Sequence, residues 1–178
     1  MRRSVSWFQA VFATLLIFGL PDLAQAEIEI PLTSLPAVFH QLPPAIQRNL
    51  LKEAEVAGED CADNMVLSVY QDCTCRAVKF VEARLVEGPD ISINTLQNKI
   101  STSCPNPKAI TAHQARQCVE LMNAAASYDP DELNTFCGCL GETVARMYTD
   151  EPSNNSRYFT ELYTEAGTEC GRDVLRRR

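Results

Sequence analysis

Histidine is scarce in this 178-residue chain: His40 and His113 are the only two, and neither stands in a local motif. There is no H-E-x-x-H, no G-x-S-x-G, no glycine-rich phosphate loop and no C-x2-C. These gaps argue against the zinc-protease helix, the nucleophile elbow, the phosphate cradle and a thioredoxin-type or zinc-ribbon clamp. Positive charge is also in deficit, with 16 Lys and Arg against 23 Asp and Glu and a net charge of −7. Nucleic-acid binding calls for a basic face or stripe, so DNA and RNA drop out as partners. Long apolar runs are missing too. The one extended apolar stretch, residues 7–20 (WFQAVFATLLIFGL), is diluted by Gln9 and Thr14 and ended by Pro21, and it falls short of the ~20 residues that cross a bilayer.

That stretch follows Arg2 and Arg3 and precedes Ala24-Gln25-Ala26. A basic start, a short apolar core and a small-residue site are the three parts of a secretory signal peptide, so residues 1–26 read as a leader cleaved after Ala26. No cysteine follows a lipobox, which argues against a lipid anchor. The expected destination is the periplasm or the extracellular space. Cleavage leaves 152 residues and, by removing Arg2, Arg3 and Asp22, moves the net charge to −8. A chain of that length can bury a real hydrophobic core.

Cysteine, by contrast, is abundant. All eight lie beyond the leader, at Cys61, Cys73, Cys75, Cys104, Cys118, Cys137, Cys139 and Cys170. An even count in an oxidising compartment reads as a disulfide framework. The order single, C-x-C pair, single occurs twice, which suggests an internal duplication by spacing. Apolar periodicity between the cysteines is helical. In the second copy, Thr111 offers a cap for a helix from 112 to about 126, Asp129-Pro130 opens a second helix to about 148, and a third runs from 156 to about 170 with Tyr158, Phe159, Leu162 and Ala166 on one face. In the first copy Pro44 opens a helix, Cys73, Ala77, Phe80 and Val81 carry a second, Gly88-Pro89 ends it, and residues 93–103 form the third. A continuous helix from 62 to 86 would put Cys61 about 18 Å from Cys73, so a turn is needed between them, expected near Ser68 to Asp72.

The fold class is therefore all-α: two tandem three-helix units, each stapled around a C-x-C-bearing middle helix. The expected organisation is leader 1–26, Pro-rich apolar arm 27–43, first repeat 44–104, second repeat 105–171 and basic tail 172–178. Residues two apart on a helix point about 200° from each other, so each C-x-C pair suits bonds to two different neighbours. Confining bonds to repeats and forbidding bonds within a pair leaves four pairings. Counting residues across the hairpins favours Cys118 with Cys139 and Cys137 with Cys170, and by analogy Cys61 with Cys75 and Cys73 with Cys104. Each bond is worth about 3 to 4 kcal/mol in the chain-entropy picture.

Thiolate binding of copper or zinc and thiol-disulfide exchange at the C-x-C pairs are the competing chemistries. Gly138 and Gly141 could help such a pair open; the plainer reading of Gly138 is close packing between helices. Glu53 and Glu55, and Asp129, Asp131 and Glu132, read as solvated faces or helix-start charges. The arm, with Ile28, Ile30, Leu35, Val38 and Phe39 among four prolines, could dock on another protein or cover the chain's own core. The tail, with Arg172, Arg176, Arg177 and Arg178, could touch an acidic partner or, peripherally, anionic lipid. Asn154-Asn155-Ser156 matches a glycosylation acceptor, relevant only in a eukaryotic secretory route. The combined expectation is a non-catalytic accessory, adaptor or interaction protein without a cofactor, whose partner is another protein of the cell envelope or extracellular space.

Overall fold

The computed structural model describes residues 28–123 and 129–176. The expected leader, the end expected near residue 126 for the first helix of the second copy, and Arg177 and Arg178 of the tail lie outside the described residues. Within them the chain forms seven α-helices: α1 (Pro44–Asp63), α2 (Met65–Tyr70), α3 (Cys73–Glu87), α4 (Ile93–Lys99), α5 (Pro107–Asn123), α6 (Pro130–Asp150) and α7 (Ser156–Arg176). The arm adds two short 3-10 turns, and the only β pairing among the described residues is one isolated bridge between Gln71 and Pro105. The fold is all-α, as expected.

Local chemistry sets the boundaries. Proline takes the first helical position of α1 and α6, where its missing N–H costs nothing. Asp129 caps α6 by accepting from the Asp131 and Glu132 amides. The chain breaks twice, not once, between Cys61 and Cys73. Asn64 ends α1 and accepts from the amides of Val66 and Leu67, each at 3.0 Å. The second break falls at Gln71 and Asp72, where the Asp72 carboxylate accepts from Cys75 N–H and starts α3. The first half consequently holds four helices, α2 being a separate six-residue turn. In the second half the cap is Asn106, bonding the Ala109 amide at 3.1 Å, so α5 begins five residues ahead of the expected 112 and Thr111 is interior. An Asn followed by Pro107 is the stronger start signal.

α1 and α3 form an antiparallel hairpin, with α4 folded back on α3; α5, α6 and α7 run up, down and up beside them. Ala54, Ala57, Ala77, Phe80, Val81 and Leu96 fill the first core. The arm closes it: Leu35 and Phe39 are buried there, and Ile28 and Ile30 pack on its edge. These apolar groups are therefore engaged by the chain's own core. Ile110, Val144, Ala145, Tyr148, Leu162 and Ala166 make the second core.

Small residues let each hairpin close tightly, and they sit at matching positions. In the first half Gly58 precedes Cys61 by three residues and meets Ala77, four after Cys73; a Cβ on Gly58 would lie 3.3 Å from the Ala77 methyl. In the second half Ala115 precedes Cys118 by three and meets Gly141, four after Cys137, at 3.2 Å on the same measure. Glycine and alanine have exchanged sides. Gly138, suspected of close packing, has nothing within 4 Å of its Cβ position.

Candidate functional site

All eight cysteines are joined in four bonds, but not in the pairing that residue counting favours. The structure connects Cys61 to Cys73, Cys75 to Cys104, Cys118 to Cys137 and Cys139 to Cys170, with Cα separations of 5.5 to 5.8 Å. The expected pairs Cys61 with Cys75, Cys73 with Cys104, Cys118 with Cys139 and Cys137 with Cys170 are each replaced by the other choice. Both arrangements lie within one helical turn in axial register, so rotation about the helix axis decides. On α6, Cys137 shares its face with Gly141, which lies against Thr111 and Ala115 of α5. Cys139 shares its face with Thr143 and Arg146, which meet α7: Thr143 Oγ1 lies 3.6 Å from Cys170 Sγ, and Arg146 pairs with Glu169 at 3.1 Å. On α3 the same rule holds, with Ala77 one turn beyond Cys73 and facing Gly58 of α1. The signal available in the sequence was the small residue one turn beyond the first cysteine of each pair.

The bonded thiols are withdrawn from thiolate chemistry in the oxidised protein. No group of three or more His, Cys, Asp or Glu side chains able to hold a metal occurs among the described residues. His40 is exposed and stands edge-on to the Phe39 ring, whereas His113 is half-buried on α5. Asp129 is a helix cap, and Glu53 pairs with the buried Arg84 at 2.8 Å. Arg84 also donates to the carbonyls of Gly88, Pro89 and Ile91, and so ties down the loop that follows α3. That loop turns at Gly88 with φ of +86°, a conformation suited to glycine. Over this pair an open groove of about 450 Å³ is lined by Leu42, Ile46, Leu50, Leu85 and Pro89.

The two halves meet at a polar-aromatic seam that the sequence did not reveal. Tyr70, at the end of α2, leaves the first half and enters the second core. Its ring packs 5.1 Å from Tyr148 and 4.9 Å from Phe159, and its hydroxyl bonds both Tyr163 Oη and the amide of Gln114 at 2.9 Å. Next to it, Gln71 is buried, donates to Ser101 O and accepts from buried Arg76 at 3.2 Å. Backbone bonds from Asp72 N–H to Cys104 O and from Asn106 N–H to Tyr70 O fasten the same place.

Burial raises the hydroxyls of Tyr70, Tyr148, Tyr158 and Tyr163 above the ordinary tyrosine value; the Tyr70 bond raises Tyr163 further, while the Tyr163 and Gln71 bonds oppose the rise at Tyr70 and Tyr148 respectively. The folded state thus keeps these protons to higher pH than the unfolded chain does. The stability they contribute is complete below about pH 10 and lost as pH rises through the folded values. Thermal melts from pH 8 to 11.5 should show a midpoint that falls only above about pH 10, together with delayed tyrosinate absorbance. Tyrosinate forming at the unfolded value with no fall in midpoint would contradict the seam's burial.

Compared with family models, curated proteins and solved structures, the chain matches none. The chain is a disulfide-stabilised all-α protein in which no described helix is long and apolar enough to cross a membrane.

Proposed function

We propose that the chain is exported, to the periplasm or the cell exterior, and acts there by binding another protein as an accessory or adaptor, without catalysis. The observation that carries this reading is the use of the thiols: all four bonds tie neighbouring elements of a helical scaffold, and no cysteine is left free. Such bonds need an oxidising compartment, in line with the leader-like first 26 residues. They also hold the surface in one shape before any partner arrives, which lowers the ordering cost of association.

The test is the intact mass of the native exported protein, with and without alkylation, beside metal analysis. A start at Glu27, a mass about 8 Da below the fully reduced value and no alkylation are expected, because each closed bond removes two hydrogens. Free thiols with stoichiometric copper or zinc would overturn the scaffold reading and turn the C-x-C pairs into a metal site. One pair that cycles under mild reductant, the others staying closed, would make the protein a thiol-exchange catalyst instead.

A further inference from the structure

Among the exposed large apolar side chains of the described residues, Met65 and Val66 stand out, 86% and 64% exposed and adjacent in the chain. They form the tip of the loop closed by Cys61 and Cys73. This tip is rigidly built. Asn64 caps it, the disulfide clamps its base, and Tyr70 at its far end is anchored in the second core. An apolar pair held out in water by three separate anchors is a feature of a contact surface.

The segment that carries the tip has charge of one sign, while α5, which packs on α2, carries Lys108 and Arg116. From Lys52 to Arg76 no basic residue occurs, while Glu53, Glu55, Glu59, Asp60, Asp63 and Asp72 do. Glu53 is committed to Arg84, but Glu59, Asp60, Asp63 and Asp72 are exposed. The Cys61–Cys73 bond brings the Asp72 end of the loop against the Asp60 end, since the two Cα atoms are 5.5 Å apart. The complement of this surface is a short segment with one or two aliphatic side chains flanked by arginines. The chain carries such a segment in its own C-terminal residues, Arg172-Asp173-Val174-Leu175-Arg176-Arg177-Arg178.

We propose that the Met65–Val66 tip, flanked along the chain by Glu59, Asp60, Asp63 and Asp72, is the docking site for the arginine-rich C-terminal segment, residues 172–178, of a second copy of this chain. This deepens the reading of the protein as one that works by binding, and rests on it. Tip and tail are different surfaces, so the contact is heterologous and can extend from copy to copy. With four arginines facing four exposed carboxylates it is sensitive to salt.

Sedimentation velocity on the oxidised mature protein, from about 5 to 200 µM at about 20 and 300 mM salt, tests this; both ranges bracket weak charge-steered association. Concentration-dependent association at low salt, abolished at high salt, is expected. Met65→Ser with Val66→Ser, Asp60→Asn with Asp63→Asn, and Arg176→Gln with Arg177→Gln and Arg178→Gln should each weaken it at least tenfold. Glu120→Gln with Glu142→Gln, an equal loss of charge on other helices, should leave it unchanged. The synthetic peptide of residues 171–178 should compete with association and lose its binding to the tip variant. A monomer at all concentrations, or a peptide that binds tip variant and parent alike, overturns the proposal. So does a peptide that binds only after residues 172–178 are deleted from a monomeric protein, since the tail then folds onto its own chain. The thiol and metal measurement above is read independently, so a monomer with four closed bonds sinks this docking site while leaving the scaffold reading in place.

Discussion

Gly141→Ala should cost about 3 kcal/mol and lower the melting midpoint by roughly 6 to 12 °C, at the upper end of what overpacking usually exacts. The added methyl would sit 2.5 Å from Thr111 O and 3.2 Å from both the nitrogen and the methyl of Ala115. Those are mostly backbone atoms, so relief requires α5 and α6 to separate, and the Cys118–Cys137 bond close by resists that movement. Two other glycines provide the scale. At Gly58 the nearest atom to a new methyl is Cγ2 of Ile28 at 2.8 Å, the tip of a side chain on the arm, so Gly58→Ala should cost about 1 kcal/mol by displacing it. Gly138→Ala meets nothing within 4 Å and should stabilise α6 by about 0.5 to 1 kcal/mol through helix propensity. Urea unfolding of the three variants measures the series; equal effects at 141 and 138 would mean that α5 and α6 are not in close contact at Gly141.

Tyr70→Ala should be more damaging still, at about 4 kcal/mol, in the range of aromatic truncations. It removes the ring shared by Tyr148 and Phe159 and leaves Tyr163 Oη and the amide of Gln114 without their common partner. Tyr70→Phe keeps the ring and loses only the hydroxyl, so about 1 to 2 kcal/mol is expected for it. The gap between the two variants separates packing from hydrogen bonding across the seam. Denaturant melts followed by far-UV circular dichroism would read both, and a loss below about 1 kcal/mol for the alanine variant would show that Tyr70 does not hold the halves together.

Periodic and capping signals were legible because they act within one segment. Asp129-Pro130, the 158, 159, 162 and 166 face and the helical character of each stretch needed only neighbours along the chain. The need for a break between Cys61 and Cys73 was legible from helix rise alone, yet its form was not, because Asn64 caps a helix of only six residues whose apolar pattern runs on from α1. Disulfide choice failed for a different reason. Both cysteines of a pair are at the same height, and the deciding quantity is which neighbour occupies which side of the helix, a tertiary property. Gly141 and Ala77 marked that side, but only once paired with Ala115 and Gly58. The seam was invisible for the same reason: Tyr70 looks like a residue of the first repeat's helix, and its partners Gln114, Tyr148 and Tyr163 lie 44 to 93 residues away in sequence.

The order of the four bonds carries a consequence for how the chain matures. Cys61–Cys73, Cys75–Cys104, Cys118–Cys137 and Cys139–Cys170 each join one cysteine to the next, so no loop crosses or encloses another. A chain emerging amino-terminus first into an oxidant can close every bond with the next thiol to arrive, and the final connectivity needs no reshuffling by an isomerase. The same order leaves residues 105–117 unspanned by any bridge, so a single cut there divides the oxidised protein into two covalently separate pieces, with the Tyr70 seam as the grip that remains between them.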